Sequence, residues 1–289
     1  PPQALRRAST VARSMSAASG LENGRICSAA AREGAVADVE EVASAEGWDD
    51  VLPPVLAEIM KYEGKYVAAP VNIHRVDWIW ANPELLAQVD ADVPTSWEEF
   101  NTTAEKLMEA GITPLAHGGQ PWQDATVFEV VALGLGGADF YRTALVELDM
   151  DALKSDTMVA VFDQMRKMRG YVDPGFSGRD WNLATSMVMN GEAAFQIMGD
   201  WAKGEFLAAG KVPGTDFQCI RFPGTQGSVT FNADQFAMFN VAAEKVDAQL
   251  AMAARHRLAQ VDDRAFDVED DAARLLEELD PRRRKLHPP

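Results

Sequence analysis

Tryptophan residues that stand next to polar residues are the most informative chemical feature of this sequence. The chain contains seven tryptophans, and several of them adjoin Asp, Asn, Gln or His. An indole ring offers a flat apolar face that matches polarised C–H groups. Carboxylates, amides and cations beside it form strong hydrogen bonds to hydroxyl groups. This combination suits a neutral sugar, which presents both kinds of surface.

Carboxylates beside tryptophans also describe enzymes that cleave glycosides, so a catalytic alternative has to be considered. The candidate carboxylates are Glu129, Glu192, Glu205 and Asp200. No motif pairs two of them, and the chain lacks the G-x-S-x-G, Walker A, G-x-G-x-x-G and H-E-x-x-H patterns. We therefore expect a non-catalytic protein without a cofactor, and a glycoside-acting enzyme is the alternative.

The two cysteines give no sign of a metal site. Cys27 and Cys219 lie far apart in the sequence, without a C-x-x-C pattern or a nearby pair of histidines. Zinc sites have such spacings, so no metal is expected. Two reduced cysteines are favoured over one disulfide.

Composition excludes some classes of partner. The formal net charge of −17 repels a phosphate backbone, so nucleic acid is not an expected partner. No apolar run reaches the roughly 18 residues that indicate a membrane span. The chain begins at Pro1 without a charged and then apolar leader, so we expect no signal peptide in it.

Short apolar strand patterns alternate with amphipathic helix patterns, which predicts an α/β protein. The predicted strands are 66–69, 71–80, 112–116, 193–198, 217–222 and 229–239. The main predicted helices are 97–107, 123–135, 156–170, 185–190 and one that begins near 201. Tyr62 to Tyr66 reads as a hairpin turn, and a hydroxyl residue before Trp97 is expected to cap the helix that follows.

The two ends of the chain differ from the middle in composition. Residues 1–35 are rich in Arg, Ser and Ala without an apolar period, so we expect a disordered basic arm. Residues 242–289 read as a charged helical tail that is exposed to solvent.

Between residues 36 and 241, a series of motifs resembles the sugar-binding proteins of ABC importers. These are family 1 solute-binding proteins of cluster B, and the match is nearest to their glucose/mannose branch. The motifs are GWDDVLPP at 47–54, PVNIHRVDWIWAN at 70–82, PTSWEEF at 94–100, AHGGQPWQ at 116–123, NGEAA at 190–194 with MGDW at 198–201, and FNADQF at 231–236.

The resemblance implies a periplasmic-binding-protein-like, two-lobed α/β fold with the second lobe largely intact and the first incomplete. Residues 36–82 would hold a remnant of the first lobe and a hinge strand, and residues 83–241 mainly the second lobe with part of the hinge. It further implies a periplasmic monomer that binds a monosaccharide between the lobes and delivers it to the membrane permease of an ABC importer. A truncated remnant that binds nothing is an alternative.

Five candidate sugar-binding residues follow from these motifs. Trp201 matches the stacking aromatic of the family, and the alternative is a core tryptophan. Asp234 and Asn232 lie in a predicted strand, where Asp234 either recognises a hydroxyl or forms a salt bridge. His74 and Arg75 interrupt an apolar strand pattern and would face sugar hydroxyls, although a histidine satisfied by the backbone is equally consistent.

Three further candidates lie at predicted helix starts. Trp122 and Gln123 follow Gly-Gly-Gln-Pro, where free backbone N–H groups could meet a polar ligand, although Trp122 could equally be a packing residue. Lys203 lies one turn inside a helix and could reach the ligand or remain at the surface. Asp180 or Asn182 is expected to be a helix N-cap rather than a ligand.

Overall fold

The computed structural model describes residues 30–255, and the predicted α/β alternation is present throughout them. The strands are β1 (Lys61–Tyr62), β2 (Lys65–Tyr66), β3 (Ala68–Arg75), β4 (Trp78–Ala81), β5 (Thr113–Ala116), β6 (Ala193–Ile197), β7 (Gln218–Arg221) and β8 (Phe231–Ala237). The helices are α1 (Glu40–Glu46), α2 (Trp48–Val51), α3 (Pro54–Ile59), α4 (Pro83–Gln88), α5 (Trp97–Glu109), α6 (Pro121–Tyr141), α7 (Met150–Leu153), α8 (Asp156–Tyr171), α9 (Trp181–Met189), α10 (Ala202–Ala208) and α11 (Val246–Arg255). Most of the predicted basic arm, Cys27 and the part of the predicted tail beyond residue 255 lie outside the described residues.

The chain divides into two compact units. The first is His74–Asn232, and the second combines residues 30–73 with residues 233–255. The sequence reading places these boundaries later, after residues 82 and 241. The first boundary shifts because β4 is hydrogen-bonded on both sides, to β6 and β7, and so belongs to the first unit.

A four-stranded sheet with the order β5-β6-β4-β7 forms the centre of the first unit. β6 is parallel to β5 and antiparallel to β4, and all five of its residues are buried. A strand that is buried on both faces needs a continuous apolar sequence. The sequence Ala-Ala-Phe-Gln-Ile meets this need except at Gln196, whose Nε2 donates a 2.9 Å hydrogen bond to the Trp181 carbonyl.

The two faces of β4 contribute to two separate apolar clusters of the first unit. Successive strand residues point to opposite faces, and Ile79 belongs to one cluster while Trp80 belongs to the other. The Trp80 indole stacks on Phe206 with ring centroids 5.5 Å apart, and Phe206 stacks on Phe217 at 4.3 Å. Four partly buried tryptophans pack against the Trp80 cluster, namely Trp78, Trp122, Trp181 and Trp201.

The predicted hydroxyl cap of α5 is confirmed. Ser96 accepts a hydrogen bond from the backbone N–H of Glu99 at 3.2 Å. The Glu99 carboxylate in turn accepts from the backbone N–H of Thr95 at 2.7 Å, and these backbone and hydroxyl donors hold its pKa below the ordinary range. Reciprocal bonds of this kind satisfy N–H groups that a helix start leaves without partners.

Helix α6 is longer than its sequence pattern predicts. The predicted helix ends at residue 135, just before Gly136 and Gly137, and Gly137 does leave the helical conformation, with φ 76° and ψ 175°. The chain then resumes helical geometry as far as Tyr141 and continues into a π-helical turn, Arg142–Val146. The glycine therefore makes a kink rather than an end.

The second unit contains the predicted hairpin and a pair of longer strands. Glu63 and Gly64, with φ of 51° and 80°, form the turn between β1 and β2, and β3 pairs with β8. The Trp48 ring meets Tyr66 edge-on at 5.2 Å. Helix α11 packs on α1 with Ala253 fully buried, so this part of the predicted exposed tail is packed rather than free.

Two predicted strands are wrong in their extent, and the first of them, 66–69, is divided between β2 and β3. Residues 71–80 were expected to form a single strand, whereas β3 ends at Arg75 and β4 begins at Trp78. The strand divides because its two parts pair with different strands, β3 with β8 and β4 with β6 and β7. Between them the Val76 N–H donates to the Thr230 carbonyl, and Asp77 forms a buried ion pair with Arg75. No helix within residues 30–255 is both long and apolar enough to cross a membrane.

Candidate functional site

The segment Gly199-Asp200-Trp201 connects the end of β6 to the start of α10 and forms the centre of the candidate site. The Trp201 ring folds back over Gly199 so closely that a Cβ atom at residue 199 would lie 2.2 Å from the indole. Only glycine leaves room for this arrangement. The ring is therefore held against its own backbone, partly buried and partly exposed.

Asp200 ties this segment to the start of the first unit. One carboxylate oxygen lies 2.6 Å from His74 Nδ1, and the other accepts a 3.2 Å hydrogen bond from the backbone N–H of Arg75. The Asp200 N–H donates to the Arg75 carbonyl at 2.9 Å. The first contact orients the His74 ring, and the other two hold Asp200 against the Arg75 backbone.

Trp201 brings the candidate side chains together. Its ring meets the His74 ring edge-on, with centroids 5.3 Å apart and an interplanar angle of 89°. On another side it neighbours Trp122 at 6.3 Å, tilted by 51°. The predicted residues His74, Trp122 and Trp201 thus form one contiguous cluster, the aromatic cluster. It combines two indole faces with an imidazole, and the Asp200 carboxylate adjoins it through His74.

The Arg75 side chain is committed to internal contacts rather than turned outward. Its guanidinium donates two hydrogen bonds to Asp77, Nε to Oδ1 at 2.9 Å and Nη2 to Oδ2 at 3.0 Å. It also lies over the Trp78 ring, 3.9 Å from the centroid. Arg75 is 8% exposed and Asp77 is fully buried, so the arginine charge is neutralised inside the protein.

Gln123 is likewise used inside the protein. It is fully buried, and its Nε2 donates to the Arg179 carbonyl at 3.1 Å and to Gln120 Oε1 at 3.2 Å. Its side-chain amide fills the space above Gly118, where a Cβ would lie 2.1 Å from Oε1. In this arrangement Gln123 supports the loop that carries Trp122.

Asp180 occupies the N-cap position of α9, as predicted, but its side chain does not cap the helix. The carboxylate instead accepts a hydrogen bond from Gln120 Nε2. The expected capping bond is absent because the carboxylate turns to a residue 60 positions earlier in the sequence.

The remaining candidates are Lys203, Asn232 and Asp234. Lys203 is exposed on the first turn of α10. Asn232 is the last residue of the first unit, and its Oδ1 is buried without a hydrogen-bond partner among the described residues. Asp234 belongs to β8 in the second unit and is half-buried.

The carboxylates of the catalytic alternative have separate structural surroundings. Asp200 is the partner of His74, as described above. Glu129 lies on α6 beside Tyr141, where burial and this carboxylate raise the pKa of the tyrosine hydroxyl. Glu192 is exposed, and Glu205 is half-buried on α10.

One ion pair near the site was not anticipated from the sequence. Arg179 donates to Asp173 Oδ2 at 2.7 Å and to the His117 carbonyl at 3.1 Å, which links the loop before α9 to the end of β5. The guanidinium holds the pKa of Asp173 below its ordinary value. Neither residue belongs to a strong local pattern, since the pairing depends on how the loop folds.

A surface cavity of about 490 Å³ lies in the second unit. None of the residues predicted to bind a ligand lines it. It is bordered by Asp49, Pro54, Ala57, Glu58, Lys61 and Gly64. Within residues 30–255, no three His, Cys, Asp or Glu side chains are grouped so that they could hold a metal ion.

Solved structures with a similar fold include sugar receptors. The solute receptor AcbH, described as preferring β-D-galactopyranose, superposes with a TM-score of 0.65 at 21% identity, over 79% of this chain and 59% of the receptor. A chitin oligosaccharide binding protein gives a TM-score of 0.66 at 17% identity, over 90% of this chain and 63% of that protein. At this identity the likeness establishes the fold, and the predicted periplasmic-binding-protein-like α/β class is confirmed.

A much closer relative in sequence is a probable sugar-binding periplasmic protein of Rhizobium meliloti. It is 59% identical over 223 residues, which are 77% of this chain and 54% of the relative. The chain thus spans about half the length of the curated relatives it matches. The model of the bacterial extracellular solute-binding protein family matches residues 20–254, a range that extends past both ends of the 36–241 region that carries the motifs. The chain belongs to the family of bacterial extracellular solute-binding proteins.

Proposed function

We propose that this chain is the sugar-binding component of an ABC importer, that it acts in the periplasm, and that it binds without catalysis. The observation that carries the proposal is the aromatic cluster of His74, Trp122 and Trp201. Two partly exposed indoles lie beside an imidazole and the Asp200 carboxylate. Indole faces suit the C–H surface of a sugar ring, and charged groups suit its hydroxyls.

The family membership supports the same function, and the membrane permease of the importer is the proposed partner. A monosaccharide of the glucose or mannose type is the proposed ligand, from the motifs at 47–54 and 70–82. The structural neighbours named above bind a galactopyranose and a chitin oligosaccharide respectively. The ligand panel therefore has to extend beyond glucose and mannose.

The direct test is the melting temperature of the purified chain with glucose, mannose, galactose, xylose, maltose or a chitin oligosaccharide. A ligand that binds only the folded state, at 100 times its Kd, adds about 2.7 kcal/mol of stability. For a domain of this size that corresponds to a rise in Tm of about 5–11 °C. A cooperative melt that no sugar moves would contradict the proposal and favour a folded remnant without binding.

Gly199→Ala tests whether the aromatic cluster is the binding surface. The new methyl group must displace the Trp201 ring, because its Cβ would lie 2.2 Å from the indole. We expect a loss of sugar affinity of about tenfold or more, equivalent to about 1.4 kcal/mol. Gly204→Ala, on the exposed face of α10 with no atom within 4 Å, is the matched control and should bind normally. Equal binding by both variants would place the ligand elsewhere.

A further inference from the structure

Trp122 and Gln120 form an unusual pair at the start of α6. Gln120 is the N-cap residue of the helix, yet its side chain makes no capping bond. Its Oε1 instead accepts a 2.7 Å hydrogen bond from the indole N–H of Trp122, two residues later. The Gln120 amide therefore binds the indole rather than the backbone of its own helix.

The other end of the Gln120 amide is anchored at a second helix start. Its Nε2 donates to Asp180, which is the N-cap residue of α9 and also leaves its own helix uncapped. Two helix starts therefore turn their side chains toward each other instead of toward their own backbones. This tie fixes which end of the Gln120 amide carries the oxygen, because only the NH₂ group can donate to a carboxylate.

Gln123 also holds the Gln120 side chain in place. Its Nε2 donates both to Gln120 Oε1 and to the Arg179 carbonyl, and the residue is fully buried. The oxygen of Gln120 thus accepts from two donors, the indole of Trp122 and the amide of Gln123. The Trp122 N–H thus forms its hydrogen bond within the protein, and this bond restricts the rotation of the indole.

We propose that Gln120 is a positioning residue that holds the Trp122 indole by its N–H, so that Trp122 contacts the sugar through its ring and not through a hydrogen bond. This inference rests on the proposed sugar-binding function. It adds the kind of contact that Trp122 makes and the residue that prepares it. Trp201 lies 6.3 Å away, so both rings belong to one apolar surface.

The indole itself provides the first readout, which needs no sugar. In ¹⁵N-tryptophan-labelled protein, the Trp122 N–H resonance is identified by its absence in Trp122→Phe. We expect Gln120→Met to shift this resonance and to speed its exchange with water at least about tenfold, since a protecting hydrogen bond is lost. The matched control is Gln164→Met, which removes a buried amide pair with Asn101 in the same unit. A Trp122 resonance unmoved by Gln120→Met would overturn the positioning role.

Sugar affinity provides the second readout. We expect Trp122→Phe, which keeps a ring, to weaken binding only about threefold, and Trp122→Ala to weaken it tenfold or more. Gln120→Met should fall between them, and Gln164→Met should bind like the natural chain. If Trp122→Phe were as impaired as Trp122→Ala, the N–H would be a ligand contact and the inference would be wrong. If no sugar binds the natural chain, the proposed function fails, while the resonance still decides whether Gln120 holds Trp122.

Discussion

Asp77→Asn should be among the most destabilising conservative substitutions in the first unit. Asp77 is fully buried, and both of its carboxylate oxygens accept hydrogen bonds from the Arg75 guanidinium, at 2.9 and 3.0 Å. The substitution keeps the size of the side chain but leaves the Arg75 charge without a counter-charge. Removal of one partner from a buried ion pair costs about 3–5 kcal/mol.

Urea unfolding, followed by tryptophan fluorescence, measures this cost. With an m-value of about 2.5 kcal/mol per molar urea, a loss of 4 kcal/mol lowers the midpoint by about 1.6 M. Asp163→Asn is the matched control, because its pair with Arg166 spans 2.7 Å but is exposed, with 53% and 79% of the two side chains accessible. Exposed pairs contribute about 0–1 kcal/mol.

A double variant separates the charge from the packing. Arg75→Met with Asp77→Leu removes both charges at once, and apolar replacement of a buried pair is often neutral or stabilising. We expect the double variant to have a higher free energy of unfolding than Asp77→Asn. The gain is reduced by the loss of the cation–π contact between Arg75 and Trp78, which is worth about 0.5–2 kcal/mol. A midpoint for Asp77→Asn within about 0.3 M of the Asp163→Asn value, a difference of less than about 1 kcal/mol, would refute the reasoning.

Two further predictions concern loops of the first unit. Gly224→Ala should be destabilising by at least about 1 kcal/mol more than Gly227→Ala in urea unfolding. Both glycines have φ near 80°, but only at Gly224 would the Cβ meet backbone, 2.1 Å from the Gly134 oxygen. Equal losses in the free energy of unfolding of the two variants would contradict this prediction. The hydrogen bond to Arg179 lowers the pKa of Asp173 from 3.8 in the folded protein. Asp173 therefore adds to the free energy of unfolding above pH 3.8, and this stabilisation is lost as the pH falls through the lowered pKa of the folded state. Asp173→Asn should therefore lower neutral-pH stability by on the order of 1 kcal/mol and flatten its fall below pH 4, and a parallel fall in both proteins would exclude this role.

Local patterns predicted the elements whose determinants lie within a few residues. Ser96 and Glu99 stand three residues apart, and the helix begins where that spacing predicts. The apolar run at β6 is buried as expected, with a boundary shifted by one residue. Trp80 lies within the predicted strand 71–80, and it is buried in β4.

Features that depend on distant partners were not predictable in the same way. Nothing local indicates that the two halves of residues 71–80 pair with different strands, or that Asp77 pairs with Arg75 between them. Asp180 has the residue type and position of an N-cap, but a glutamine 60 residues away competes for its carboxylate. The choice depends on how the loops before α6 and α9 approach each other, which no single window of the sequence contains.

The sequence predicted the aromatic residues of the candidate site better than the residues that hold them in place. His74, Trp122 and Trp201 were named from the motifs, and the structure brings them together. Asp200 was considered only as a possible catalytic acid, whereas it holds His74. Its position between Gly199 and Trp201 was the available signal, because a carboxylate beside a stacking aromatic commonly needs a partner when it is partly buried.

The discontinuity of the second unit has a consequence for the order in which the chain matures during synthesis. Residues 74–232 form an uninterrupted stretch, so all of them are translated before the last five residues of β8, 233–237, are added. Residues 30–73 emerge first, yet β3 cannot pair with β8 until the whole intervening unit has passed. Domains generally fold as units during synthesis, and closing a long loop carries an entropic cost that a compact insert reduces. A first unit that folds early therefore lowers the entropic cost of pairing β3 with β8.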